Sequence, residues 1–475
     1  MTKKISADIC IIGAGSGGLS VAAGAAQLGK KVVLLEKGKM GGDCLNYGCV
    51  PSKALLAAGK TAQVMRDAEK YGVQPVAPTV DFQAVHDHVH SVIAAIEPND
   101  SVERFEGFGV NVIQEAGRFI GPREVQAGDT VIKAKHFVVA TGSSPFVPPI
   151  KGIETVPYLT NEIIFDRTEL PSHLLIIGGG PIGLEMAQAH RRLGAEVTVV
   201  EGATTILPKD DPELAEIAIE NLRKEGINII TGAMVEELAG SEGNINLAYV
   251  KDGETHMVTG SHLLVATGRK ANIDGLDLEK AGVQTDGRSI TVDDRLRTTN
   301  KRVYAAGDVT GGRQFTHVAG YHAGIIVQNM LFKMPAKNKE HNAPWVTYID
   351  PELAHVGLNE AMAKEQGVNY TVAKWDFEEN DRAQAEHATH GLIKVLVGKK
   401  GKVLGASIVG KNAGDLIGPW ALAVANGLKI RAFTNMIAPY PTLGEVSKRA
   451  AGAYYTPSLF SSKTRSLIKF LSIFD

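Results

Sequence analysis

The sequence predicts an α/β protein: two Rossmann-like dinucleotide-binding domains followed by a C-terminal α+β domain. Three observations carry that expectation. A strand–glycine turn–helix unit occurs twice. Each copy is followed by a second strand that ends in a glutamate. Beyond about residue 341 the texture changes to strands grouped ahead of helices.

The first unit runs Ala7-Asp-Ile-Cys-Ile-Ile, an apolar strand, into Gly13-Ala-Gly15-Ser-Gly-Gly18 and a helix-like run. The second runs His173-Leu-Leu-Ile-Ile into Gly178-Gly-Gly180-Pro-Ile-Gly183. The first glycine of such a motif permits a tight turn, the second admits a pyrophosphate against the backbone, and the third lets helix and strand pack closely. The helix N-terminus supplies amide donors. The following strands, Lys31–Glu36 and Glu196–Glu201, each end 23 positions after the first glycine. Glu36 and Glu201 are thereby placed to accept hydrogen bonds from ribose hydroxyls. Two such units imply two dinucleotides.

Each unit has a late strand returning to its sheet: Phe137-Val-Val-Ala140-Thr141-Gly142, and Leu263-Leu-Val-Ala266-Thr267-Gly268-Arg269. A further strand, Arg302–Ala306, leads into Gly307-Asp308. The economical reading interrupts the first domain. It spans 1–148 and resumes over 272–340, with the second nucleotide domain at 149–271 and the proline-rich Pro145–Pro149 at one crossing. In the last domain, 341–475, strands are expected at Val346–Ile349, Tyr370–Phe377, Gly391–Val397 and Lys402–Val409. Helices are expected at Ala413–Asn426 and Leu443–Tyr455.

Between the first unit's second strand and the next helix lies Gly41-Gly-Asp-Cys44-Leu-Asn-Tyr-Gly-Cys49-Val-Pro51-Ser-Lys53. Pro51 fits the first helical turn, where its missing donor costs nothing. Cys49 then sits at or near the N-cap, where the helix dipole and free amides favour a thiolate. Lys53 projects from the same face and adds positive charge. Cys44 is near enough in sequence to close a small, reopenable ring with Cys49. A zinc site needs four ligands, and no histidine or further cysteine lies nearby. Cys10, inside an apolar strand, reads as core.

Composition narrows the field. The chain has 475 residues, 44% of them hydrophobic, and a formal net charge of -2, so neither disorder nor a polyanionic partner such as nucleic acid is implied. Three cysteines cannot form a disulfide framework and fit a reducing, cytoplasmic compartment. No secretory leader and no apolar run approaching the ~20 residues of a membrane span is seen. The apolar, basic tail Arg465–Asp475 is expected to dock as a terminal segment rather than to anchor in lipid.

The Cys44–Lys53 stretch resembles the active-site signature of the flavin-dependent pyridine nucleotide–disulfide oxidoreductases, the family of dihydrolipoamide dehydrogenase, glutathione reductase and mercuric reductase. The likeness extends over both glycine motifs, both Ala-Thr-Gly strands, Ala306-Gly-Asp308 and the C-terminal domain. It implies an FAD domain, an inserted NAD(P) domain and a C-terminal dimerisation domain forming a homodimer. It implies FAD contacts at Gly13, Gly15, Gly18, Glu36, Lys53, Gly117, Thr141, Gly142 and Asp308. It implies nicotinamide-dinucleotide contacts at Gly178, Gly180, Gly183, Glu201 and Gly268. By the same resemblance Cys49 faces the flavin, Cys44 attacks a small disulfide or related sulfur substrate, and Lys53 pairs with Glu185. Glu201, followed by no arginine through Lys209, suits a free 2′-hydroxyl, so NADH is expected over NADPH.

One departure matters. The family's His-Pro-x-x-x-Glu near the C-terminus is here Tyr440-Pro441-Thr-Leu-Gly-Glu445. A phenol near ~10 is a poor base at neutral pH, though it can donate a hydrogen bond. His317, His322, His387 and His390 read as packing or surface residues. Mercuric reductase resembles the chain in carrying tyrosine there, but delivers metal with a terminal cysteine pair that Ser461–Asp475 lacks. The leading expectation is reduction of a sulfur substrate. Dihydrolipoamide dehydrogenase, soft-metal reductase and a thiol-independent NADH oxidase or diaphorase are the alternatives, and no metal is expected at the site.

Overall fold

The computed structural model describes residues 3–474; the first two residues and Asp475, which the ranges 1–148 and 341–475 and the tail include, lie outside it. A seven-stranded sheet organises the first domain. Its order is Asn111–Ile113, Val32–Leu35, Lys3–Ile12, Thr130–Val139, Glu124–Ala127, Gly117–Gly121. Val303–Ala305 pairs in parallel with the far end of Thr130–Val139, so the sheet is completed by chain that returns after a long excursion. Strands Lys3–Ile12 and Val32–Leu35 are parallel, with Ile9 opposite Val32 and Ile12 opposite Leu35. Ile9, Ile11, Leu34 and Phe137 are fully buried, as a strand covered on both faces requires. Small residues on helix Ser16–Gln27, Gly17 among them, let helix Thr316–Met330 lie close against it.

The excursion builds a second sheet of four parallel strands, Asn228–Thr231, Glu196–Glu201, His173–Ile177 and His262–Val265. A three-stranded antiparallel sheet over Met234–Gly260 is appended. The chain passes between the first two domains along a two-stranded ribbon, Ser143–Pro145 against Arg269–Ala271.

The last domain is a five-stranded antiparallel sheet, ordered Trp345–Thr347, Glu352–Gly357, Val403–Gly410, Leu392–Val397, Thr371–Asp376. Strand Glu352–Gly357 is an addition to the expected set. Its buried His355, bonded to Ser407, interrupts the apolar run by which a strand is recognised. The single helix expected at Ala413–Asn426 is two, Ala413–Leu416 and Gly418–Asn426, because Pro419 cannot donate to the preceding turn. The next helix is Glu445–Leu459, two residues later in starting than expected. Buried Lys394 bonds Asp211 at 2.8 Å and Glu360 at 2.6 Å, tying this domain to the second.

The tail departs from expectation. It forms a helix, Ser462–Leu471, but none of its residues is buried. Among the described residues its apolar face is not buried against its own chain. Among the described residues, no helix is long and apolar enough to cross a membrane.

Candidate active site

The dithiol loop is built on glycines. Gly41 and Gly42 take φ of 85° and 61°, a region L side chains avoid. A Cβ on Gly42 would stand 2.8 Å from the Cα of Gly15, so the loop lies directly against the middle glycine of the first motif. Asn46 donates from Nδ2 to the carbonyls of Met40 and Gly42, both at 2.9 Å, and locks the turn. Asn161, from the second domain, donates to Asp43 and to the Tyr47 carbonyl. Cys44 therefore sits on the short helix Gly42–Asn46, and Cys49 opens helix Cys49–Arg66 as its first residue, with Gly48 as the cap.

Cys44 and Cys49 are free thiols that share a hydrogen bond. That bond, given by Cys44, is the largest cause pulling Cys49 down to about 6. The Thr316 hydroxyl, 3.3 Å from Cys49 Sγ, and the charge of Lys53 pull the same way against an opposing desolvation. The Cys44 thiol is pushed up by the same hydrogen bond and by burial. One sulfur is thus prepared as a thiolate and the other as its proton-bearing neighbour. Thr316 begins helix Thr316–Met330, so Cys49 stands at its own helix N-terminus and beside a second. Cys10, by contrast, is fully buried and its thiol is pushed up by burial alone.

Lys53 connects all three domains. Its Nζ lies 2.7 Å from Glu185 Oε2 on helix Pro181–Leu193, and 4.4 Å from the ring centre of Tyr348. The Tyr348 backbone N–H donates to the other oxygen of Glu185 at 3.0 Å. Glu185 is buried, so both its oxygens have partners.

The two glycine motifs are superposable in their bonding. Glu36 accepts from the N–H of Ala14 at 2.7 Å and of Gly38 at 2.8 Å. Glu201 accepts from Gly179 at 2.6 Å and Ala203 at 2.8 Å. A Cβ on Gly18 or Gly183 would stand 1.8 or 2.1 Å from the carbonyl oxygen of Gly13 or Gly178. One on Gly15 or Gly180 would meet nothing within 4 Å. The third glycine of each motif is demanded by packing and the second faces open space, the cradle a pyrophosphate needs. These residues fit one dinucleotide in each unit. Gly268, with φ of 136°, also faces open space, whereas a Cβ on Gly117 would strike Leu35 at 2.6 Å. Gly142 takes φ of 68°, and Thr141 donates to the Asn272 carbonyl.

Asp308 accepts from Ser143 Oγ at 2.6 Å, and burial pushes its carboxyl up. Arg269 forks onto Ser143 Oγ and its carbonyl, each at 2.7 Å, and reaches Asp43 at 3.1 Å. Arg269, Asp43, Thr316 and Tyr348 escaped the sequence reading as site residues. Arg269 and Asp43 stood inside quoted motifs, which was the available signal; Thr316 had none.

Tyr440 and Glu445 lie apart from their own chain's dithiol, in the last domain. Tyr440 is exposed and donates to Asp381 Oδ2 at 3.0 Å, and that carboxylate pushes the phenol above its ordinary value. Glu445 is the first residue of helix Glu445–Leu459. His322 is buried between the Gly307 N–H and Glu340, and His317 contacts the Pro344 carbonyl; both are held by packing elements rather than by the thiols. Among the described residues, no group of three or more His, Cys, Asp or Glu is placed to hold a metal ion.

A family model described as pyridine nucleotide-disulphide oxidoreductase matches residues 7–323, and one described as that family's dimerisation domain matches 343–451. A mercuric reductase of Lysinibacillus sphaericus is 36% identical over 447 residues, 94% of this chain and 82% of its own length. A dihydrolipoyl dehydrogenase of Geobacillus stearothermophilus is 34% identical over 460 residues, 94% of this chain and 96% of its own. Among solved structures, a Cu(II) complex of the HOCl-induced flavoprotein disulfide reductase RclA from Escherichia coli gives a TM-score of 0.84 at 27% identity, covering 95% of this chain and 99% of that one.

Proposed function

Because the chain belongs to the pyridine nucleotide-disulphide oxidoreductases, a family of flavoprotein enzymes that bind FAD and NAD(P), we propose that its Cys44–Cys49 pair carries two electrons from NADH to a small disulfide or related electrophilic sulfur compound. The observation that carries the proposal is the asymmetry of the two thiols: Cys49 drawn down to about 6, with Cys44 donating to it.

The FAD residues are Gly13, Gly15, Gly18, Glu36, Lys53, Gly117, Thr141, Gly142 and Asp308. The second dinucleotide is held by Gly178, Gly180, Gly183, Glu201 and Gly268. Bound FAD supplies two-electron exchange between the nicotinamide and the dithiol. Glu201, with no arginine in residues 202–209, supports NADH over NADPH. The ribbon crossings at Ser143–Pro145 and Arg269–Ala271 support dividing the chain into 1–148, 149–271 and 272–340, with 341–475 as the last domain.

The sulfur chemistry balances within this chain's residues. Cys44 attacks one sulfur of the substrate and hands its proton to the Cys49 thiolate through the shared hydrogen bond. The substrate S–S bond breaks and releases the first thiolate. Cys49 then gives up that proton and attacks Cys44, which forms the internal disulfide and releases the second thiolate. The proton Cys49 gives up and one from solvent leave two product thiols, and the enzyme has lost two electrons to substrate. Lys53, held by Glu185, keeps positive charge beside the reacting pair. The dimerisation-domain match suggests a homodimer, in which Tyr440, oriented by Asp381 and close to Glu445, would donate to the departing thiolate of the partner's site. Sparse cysteine use supports a reducing, cytoplasmic setting.

Steady-state assays of the purified flavoprotein with NADH and a panel of disulfides, polysulfides, oxidised lipoamide and Hg(II) test this. Turnover of a sulfur substrate that Cys44→Ser abolishes is expected. Activity with Hg(II) alone, or undiminished turnover in Cys44→Ser, would sink it; the second result would point to an oxidase or diaphorase.

A further inference from the structure

The last helix of the chain has no assigned role. Ser462–Leu471 is capped by its own Ser461, whose Oγ accepts from the Thr464 N–H at 3.2 Å. The side chains of Arg465 and Thr464 bond back to the carbonyls of Phe460 and Ser458, and among the described residues no hydrogen bond ties the helix to anything beyond the turn before it. Leu467, Phe470, Leu471 and Phe474 recur at helical spacing and form one stripe, each more than half exposed. Arg465, Lys469 and Ser472 lie on the opposite side by the same spacing. From Ser461 through Asp475 the chain carries three bases, Lys463, Arg465 and Lys469, and one acid, Asp475, against a net charge of -2 for the whole molecule.

We propose that this helix binds the surface of an anionic lipid bilayer, lying in the interface with its leucine–phenylalanine stripe among the acyl chains and its bases among the headgroups. An exposed apolar stripe backed by unneutralised lysine and arginine is the composition of such interfacial helices. Charge selects this occupant over a second copy of the same helix. Pairing of two such stripes would leave Arg465 and Lys469 facing solvent with no counter-charge, whereas a helix lying in the interface sets them among anionic headgroups that supply it. At about 15 Å for its ten residues, the helix is too short to span a bilayer and long enough to lie on one. The enzyme would then work at a membrane surface, reversibly held, because one short helix anchors weakly.

The test is cosedimentation of the full flavoprotein with two kinds of vesicle: phosphatidylglycerol mixed equally with phosphatidylcholine, and phosphatidylcholine alone. Binding to the first and not the second is expected, weakening as salt is raised. Lys469→Gln should weaken it about fivefold. Phe470→Asp should abolish it, with NADH-dependent turnover in solution and oligomeric state by sedimentation velocity both unchanged. Equal recovery in the supernatant with both vesicles would overturn the proposal. So would a Phe470→Asp protein of smaller oligomeric state, which would assign the stripe to a second copy of the chain.

Discussion

Lys53 and Glu185 meet at 2.7 Å although 132 residues separate them, one on the helix that Cys49 opens and the other on the helix that follows the second glycine motif. The contact puts a cation one turn behind the prepared thiolate and fixes it to a carboxylate that is itself held by Tyr348. Lys53→Met leaves Glu185 buried with one partner lost. Lys53 is itself partly exposed, so the expected loss is ~1–2 kcal/mol of stability rather than the full cost of a buried pair. The same change removes a charge that favours the Cys49 thiolate. Denaturant melts read the first effect and thiolate titration the second; a variant unchanged in both would remove Lys53 from the site.

The reduced enzyme should show a thiolate that titrates near pH 6, since Cys49 is drawn down to about 6. Its pKa lies below that of a free thiol, so the thiolate persists above about 6 and is lost as pH falls through it. The stability linked to this group is complete above the free-thiol value and disappears as pH falls towards the folded one. Thiolate ultraviolet absorbance, with Cys49→Ser as the baseline, measures the midpoint. Thr316→Val removes a donor at 3.3 Å and should raise that midpoint by about one pH unit.

Gly18→Ala and Gly183→Ala should separate the two nucleotide sites. In each, the new methyl would stand about 2 Å from a carbonyl oxygen, at Gly13 or Gly178. The first should yield protein depleted of flavin. The second should keep flavin and raise the KM for NADH at least tenfold, a loss of about 1.4 kcal/mol in binding. Flavin absorbance per polypeptide and the NADH saturation curve decide it; flavin loss in Gly183→Ala would contradict the assignment of the sites.

Glu201 should make the enzyme prefer NADH. A ratio of kcat/KM for NADH over NADPH of about tenfold or more is expected, and Glu201→Gln should narrow it by removing the charge that repels a 2′-phosphate. Equal efficiency in the wild-type chain would defeat the expectation.

Tyr440→Phe should slow disulfide turnover about tenfold or more with little change in stability, because Tyr440 is exposed and its hydroxyl bonds the exposed Asp381. Asp381 raises the phenol's pKa, so no phenolate-dependent rise in rate is expected between pH 7 and 9. Such a rise would make Tyr440 a base instead of a donor.

What the sequence by itself determined is local chemistry. A glycine that must turn tightly, a glycine that a helix must pack against, and an acid 23 positions on can be read from spacing because the backbone imposes them within one strand–turn–helix. The dithiol was legible for the same reason, as were four of the five strands of the last domain. The tertiary structure decided the contacts that have no period. Thr316 reaches Cys49 across 267 residues, Arg269 bridges Ser143 to Asp43, and Tyr348 completes the partners of Glu185. Sequence spacing says nothing about which of many threonines two folded sheets will bring beside a sulfur. For the tail Arg465–Asp475 the apolar pattern showed that a face seeks cover, and only the packed molecule shows that helix Ser462–Leu471 buries none of its residues against its own chain.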